Sequence, residues 1–292
     1  MVRRTAAAVG IMILFAACGE QGAAVVARST EATAEPTTTT TMPPASKPVV
    51  IVTADDVAGW WDGAAWREAA DGPLPVAGGE TYRMVDLGRP VTTAVGGAPN
   101  EGCDANNTEP GIPMEGFEWP HWQYDGSVAV SGDHDVTPRP ARRLDLPAPP
   151  DVVEAARQML AAQGVADPAP DVVEQVSADL DGDGTDEQIV VANHGSTEYF
   201  DETGASASIV FLRRVNGGTV VDHFVTADAP REREGPPPYV RNFLHIGAVA
   251  DLNGDGTMEF VVQFHYYEGR GTVIHEMSKV DVPRVLQSFC GL

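Results

Sequence analysis

The chain has 292 residues, with 42 Asp and Glu against 19 Lys and Arg and a formal net charge of −23. A surface of that sign repels a phosphate backbone, which excludes nucleic acid as a partner. The length leaves room for one large domain or two modest ones.

Met1-Val2-Arg3-Arg4 is a short basic start, and the apolar run Ala6 to Phe15 is too brief for a membrane-spanning helix, which needs about 20 residues. The pattern is that of a signal peptide over residues 1–18. It ends in Phe15-Ala16-Ala17-Cys18-Gly19, which resembles the lipobox of bacterial lipoproteins, with Phe15 where that family has leucine. The resemblance implies lipidation of Cys18 and a tether to the bacterial cell membrane by buried acyl chains. The alternative is ordinary cleavage near Ala17 and secretion. Residues 19–48 carry Thr37 to Thr41 and Pro43-Pro44 with almost no large apolar side chain, so they cannot offset the entropy of ordering and read as a disordered Thr/Pro-rich stalk. With Cys18 used for lipid, Cys103 and Cys290 form an even pair in an oxidising exterior and are expected to be disulfide-bonded.

From Pro48 to about residue 145 the pattern is of short strands broken by Gly, Pro and Asp, including Glu80 to Val85 and Ser127 to Ser131. Val95 to Gly116, rich in Gly, Asn and Pro, reads as a long loop carrying Cys103. One helix is expected at about 152–163, with Asp151 as its N-cap, Glu154 completing a capping box and Gly164 as its stop. Residues 146–292 then read as a strand-rich repeat. Val172 to Ala178 enters an acidic loop and Gln188 to Ala192 leaves it, while Asn216-Gly217-Gly218 turns a hairpin. Phe243 to Ala250 enters a second acidic loop and Phe260 to Tyr267 leaves it, followed by strands at Thr272 to Met277 and Val285 to Phe289. The fold class is therefore mainly β, with one helix.

The two acidic loops are Asp179-Leu180-Asp181-Gly182-Asp183-Gly184-Thr185-Asp186-Glu187 and Asp251-Leu252-Asn253-Gly254-Asp255-Gly256-Thr257-Met258-Glu259. Both carry oxygen side chains at places one, three, five and nine. A hard cation such as calcium takes six to eight oxygens at about 2.3–2.6 Å, and alternating carboxylates on a tightly turned backbone can converge on it. An EF-hand needs a bidentate Glu at place twelve, where Val190 and Val262 stand, and helices on both sides, so that motif is excluded.

A nine-residue acidic loop between strands resembles the calcium loops of FG-GAP and VCBS-type β-repeats, as in propeller blades. The resemblance implies blade-like antiparallel sheets and two calcium sites. Asp179, Asp181, Asp183 and Glu187 would hold one ion with the Thr185 carbonyl, and Asp251, Asn253, Asp255 and Glu259 the other with the Thr257 carbonyl. Two copies cannot close a propeller alone. More widely, Gly63-Ala64-Ala65-Trp66, Gly79-Glu80-Thr81-Tyr82, Pro138-Arg139-Pro140, both acidic loops and Tyr266-Tyr267-Glu268-Gly269 are similar to a family of exported bacterial proteins, a likeness that implies no reaction.

Other constellations have structural readings. Asp133-His134-Asp135 reads as a solvated turn, and His275-Glu276-Met277-Ser278-Lys279 fails as HExxH because Lys279 cannot be the second ligand. Trp60, Trp61, Trp66, Phe117, Trp119, Trp122 and Tyr124 fit a β-rich core better than an open platform. Arg139, Arg142 and Arg143 suit salt bridges. The expectation is a non-catalytic binding or scaffolding module at the cell envelope, with an envelope protein or glycan as partner. The alternative is a hydrolase with its site around residues 117–135, using His121 or His134.

Overall fold

In the computed structural model, Val49-Val50-Ile51-Val52 is apolar on both sides of the pleat, so the strand it forms, β1 (Val49–Thr53), must be covered on both faces. It is the centre of an antiparallel sheet with β2 (Asp56–Trp61), β3 (Trp66–Glu68), β4 (Thr81–Val85), β5 (Thr92–Gly96), β6 (Asn100–Glu101), β7 (Pro110–Gly111), β8 (Met114–Glu115) and β9 (Val128–Ser131). The order is β6-β7-β2-β1-β9-β4-β5-β8, with β3 on β2. Residues are described for 47–54, 56–103, 110–117, 119, 126–233, 237–278 and 281–291. The signal peptide, Cys18, most of the stalk, His121, Trp122 and Tyr124 lie outside them. The expected loop from Val95 to Gly116 is in part strand, because β6, β7 and β8 pair its backbone at the sheet's edges.

A second sheet follows the order β10-β11-β12-β14-β15, from β10 (Arg142–Arg143), β11 (Asp171–Ala178), β12 (Glu187–His194), β14 (Ala207–Asn216) and β15 (Thr219–Asp228). Between β10 and β11 lies the helix α1 (Pro150–Ala162). It ends as expected: Gly164 N–H donates to Ala161 O and Val165 N–H to Leu160 O, both at 3.1 Å, with Gly164 at φ 88°. Its start differs. Pro149 is the N-cap without a side-chain hydrogen bond, and Asp151 lies in the first turn, where it pairs with Arg213 at 2.9 Å. Proline at the first helical position needs no N–H partner, so the capping box is not required.

β13 (Phe200–Asp201) pairs with β16 (Tyr239–Val240) in a two-stranded clip. The last sheet is the meander β17 (Phe243–Ala250), β18 (Glu259–Tyr266), β19 (Gly269–His275) and β20 (Arg284–Gly291). β17 and β18 stand at the same interval after β11 and β12 as the second acidic loop after the first. The sequence repeat is thus a repeat of strand, loop and strand.

The sheets stack. α1 covers one face of the second sheet through Val152, Ala156 and Leu160 against Ile209 and Phe211. Its other face meets the last sheet through Val191, Val210, Ile246 and Phe260. The far face of the last sheet meets the first sheet through Ala248, Ile274 and Leu286 against Val49, Ile51 and Val130. Gly247, skipped by the pairing between Ile246 and Ala248, allows that last approach: a Cβ there would fall 2.6 Å from the Gly126 Cα.

A disulfide joins Cys103 to Cys290, with Cα atoms 5.7 Å apart. It ties the end of β20 to the chain just after β6, as the pairing of the two cysteines requires. Beside it Asp56, buried, accepts from Cys103 N–H at 3.0 Å and pairs with Arg270 at 3.3 Å.

Candidate metal centre

Both loops are single turns between paired strands, so the residue before each loop lies across a ladder from the loop's ninth. Ala178 pairs with Glu187, and Ala250 with Glu259. The glutamate closes each turn in the same way: Glu187 Oε2 accepts from Leu180 N–H at 2.9 Å, and Glu259 Oε2 from Leu252 N–H at 2.7 Å. The first-place aspartate reaches across the turn, Asp179 to Gly184 N–H at 3.2 Å and Asp251 to Gly256 N–H at 2.9 Å. Place five bonds to place seven, Asp183 to Thr185 N–H and Asp255 to Thr257 N–H, each at 2.7 Å. Gly182, Gly184, Gly254 and Gly256 all have φ between 76° and 90°, the left-handed region that glycine enters without a Cβ clash.

The first turn gathers carboxylates. Oxygens of Asp179, Asp181 and Glu187 lie within 4.8 Å of one another, a spacing that suits ligands of one cation. In the second loop Asp251, Asn253 and Glu259 are all buried, and Glu259 Oε1 has no hydrogen-bond partner. A fully buried carboxylate oxygen without a partner is costly, and a cation is the group that would satisfy it. These donor sets fit a hard divalent ion, which in the first loop would be held by places one, three and nine, Asp183 lying outside that group, and in the second by Asp251, Asn253 and Glu259.

The loops touch. Met258 N–H donates to Leu180 O at 2.8 Å, and Leu180 and Met258 share one core cluster. Arg139 lies over both, its guanidinium donating to Leu180 O at 2.9 Å, to Gly256 O at 2.7 Å and also to Asp179 O. The segment around it crosses the second loop as well. Val136 O accepts from Asp251 N–H at 2.9 Å, and His134 Nε2 lies 2.9 Å from Asp251 O. His134 is therefore a buried support for the second loop, where a solvated turn was expected. Arg142 pairs with Asp186 and Arg143 with Glu174, the salt-bridging role expected of them.

The described tryptophans serve packing. Trp60 lies in the core of the first sheet, Trp61 and Trp66 meet edge to face at 5.3 Å, and Phe117 meets Trp119 at 5.2 Å. An aromatic cluster that sequence reasoning missed forms instead at the end of the last sheet farthest from the acidic loops. There Tyr199, Phe200, Phe243, His265 and Tyr267 make ring contacts at 5.4–6.4 Å, with Phe200 and Tyr267 about half exposed. The only signal was the alternation in Tyr266-Tyr267, which places Tyr266 against Phe289 at 5.8 Å and Tyr267 outward.

Burial pushes Glu187 up to about 7, helped by Asp181 and Asp183, and raises Asp251 and Glu259 for the same first cause. His275, buried and stacked on Phe260 at 5.4 Å, is driven by desolvation from 6.5 down to about 4. The signs oppose. A carboxyl raised on folding gives stability that is full below its unfolded value and lost as pH rises through about 7 for Glu187. A histidine lowered on folding gives stability that is full above 6.5 and lost as pH falls towards 4, worth about 3 kcal/mol for His275. With chelator present, stability between about pH 5 and 8 should carry the falling carboxyl contribution. With calcium, which would hold the carboxylates ionised, the histidine contribution should dominate, rising up to about pH 6.5 and level above it. Urea midpoints across that range under both conditions check this, and identical slopes would refute it.

Comparison with family models, with curated proteins and with solved structures finds no match to this chain.

Proposed function

We propose that the protein is an extracytoplasmic, membrane-tethered binding or scaffolding module whose stacked sheets are stabilised by two calcium ions. The observation that carries the reading is the paired turn geometry, with converging carboxylates in the first loop and the orphaned, buried Glu259 Oε1 in the second. Each ion would hold the corner between two strands where β11 joins β12 and β17 joins β18. That geometry also supports the likeness to FG-GAP and VCBS-type loops, since both turns sit between antiparallel strands of meandering sheets.

Three of the described histidines have packing or bracing roles. His134 braces a loop, His265 stacks on Phe243 at 5.5 Å, and His275 stacks on Phe260. A concavity of about 610 Å³ lined by Ala69, Pro73, Leu74, Val76, Pro99 and Pro110 has no titratable side chain in its lining. For a binding role the best-suited surface is the aromatic cluster at Phe200 and Tyr267, whose half-exposed rings could stack on a sugar or pack on a peptide of the envelope.

The tether is tested by fractionation. Wild type should sediment with membranes and carry an acyl mass on its first residue, whereas Cys18→Ala should move to the soluble fraction. A variant that stays with the membrane would remove the lipid anchor from the proposal.

A further inference from the structure

The two loops share a sequence pattern but not an environment. The second is the inner one: Asp251, Leu252, Asn253, Gly254, Met258 and Glu259 are buried, under the segment that carries His134 and Val136. Among the described residues no arginine or lysine forms an ion pair with Asp251, Asp255 or Glu259, and Arg139 reaches this loop at the Gly256 carbonyl, not at a carboxylate. The first is the outer one: residues 181 to 186 are all exposed. Its carboxylates already face cations. Arg214 reaches Asp181 Oδ2 at 3.3 Å, and Arg139 Nε lies 3.9 Å from Asp179 Oδ2.

Arg214 is the more telling of the two. It projects from β14, the neighbour of the strand that leaves the loop, is mostly buried, and also donates to Ser278 O at 3.1 Å. Its charge is therefore held in place beside a third-place ligand of the outer site. A guanidinium fixed against a ligand carboxylate disfavours a metal in two ways, by occupying one of its oxygens and by repelling the incoming charge. The inner site has no such competitor. Each loop has an orphaned carboxylate oxygen, Asp179 Oδ1 in the outer and Glu259 Oε1 in the inner, but only Glu259 has no exposure at all, so the inner site has the most to gain from an entering cation.

We infer that the two loops are an unequal pair: the inner loop retains its calcium, the outer loop binds reversibly, and Arg214 sets the difference by competing with the ion for Asp181. The inference rests on the calcium reading of the loops. It makes the outer loop the part that responds to calcium in the surroundings, with the inner loop fixed as framework.

The experiment is a calcium titration of the full chain, without its signal peptide, against a chromophoric chelator. Wild type should show two affinities separated by at least about ten-fold. Asp183→Asn, at an exposed position, should abolish the weaker site and leave the tighter one, and Asp255→Asn should do the reverse. Arg214→Gln should tighten the weaker site roughly five-fold, the size of a partly exposed ion pair, and leave the tighter site unchanged. Arg214→Lys, which keeps the charge, should remain near wild type. A merely structural arginine would give no gain in affinity on loss of its charge. Two equal affinities, loss of the tighter site in Asp183→Asn, or an unchanged or weakened outer site in Arg214→Gln would each overturn the inference while leaving calcium binding intact. Absence of any bound calcium would overturn the calcium reading and this inference with it. If Asp255→Asn fails to fold, the exposed Asp183 and the two Arg214 variants still decide the matter.

Discussion

Removing calcium should lower the melting temperature by about 8–16 °C. At a free concentration about 100 times the tighter site's dissociation constant and about 10 times the weaker's, ions bound only by the native state add about 2.7 and about 1.4 kcal/mol, about 4 kcal/mol together. A domain of about 250 residues shifts by roughly 2–4 °C per kcal/mol. The structural reason is that the ions would act on the states in which stability is lost. Without them Asp251 and Glu259 remain buried carboxyls raised by desolvation, and Asp179 Oδ1 and Glu259 Oε1 remain unpartnered. Glu259→Gln separates the two contributions. It removes a buried ionisable group, so it should raise stability in chelator at pH 8, and it removes a ligand, so it should shrink the gain from calcium. Scanning calorimetry of wild type and variant, each with calcium and with chelator, checks both. A wild-type melt that does not respond to calcium would sink the prediction.

Much of this frame was legible in the sequence because the loops constrain their neighbours. A turn that brings its first and ninth residues together dictates a strand on each side, and Val172 to Ala178 and Phe243 to Ala250 supply the β-branched and aromatic residues for it. The helix was legible for a similar reason, since Gly164 ends it in the backbone geometry that glycine permits. Its first turn was not, because Asp151 can cap a helix or pair with an arginine, and Arg213 on β14 decides in favour of the pair. The inequality of the loops was hidden for a deeper reason. It arises from Val136, His134 and Arg214, each remote in sequence from the loop it touches, and only the stacking of sheets brings them there. The aromatic cluster is of the same kind: Phe200, Phe243 and Tyr267 come from three separate segments.

Reducing the disulfide, or replacing Cys103 and Cys290 together by serine, should cost about 2–5 kcal/mol, because the bridge closes a separation of 187 residues and so lowers the entropy of the unfolded chain. Its position adds a second expectation. Cys290 pairs with Arg270 and Gly291 with Gly269, at the end of β19 next to the Tyr266 end of β18, whereas the acidic loop feeds the Glu259 end. The last sheet is therefore held at both ends, by the bridge at one and by the second loop at the other. Constraints so far apart, with no shared partner, should add to within about 0.5 kcal/mol. Denaturant midpoints for the oxidised and cysteine-free proteins, each with calcium and with chelator, form the cycle that measures this. Additive losses would mean that the two ends are secured independently. If the cysteine-free protein instead no longer gained stability from calcium, the bridge would have to be what holds the second loop in its ion-binding form, and the independent-end account would fail.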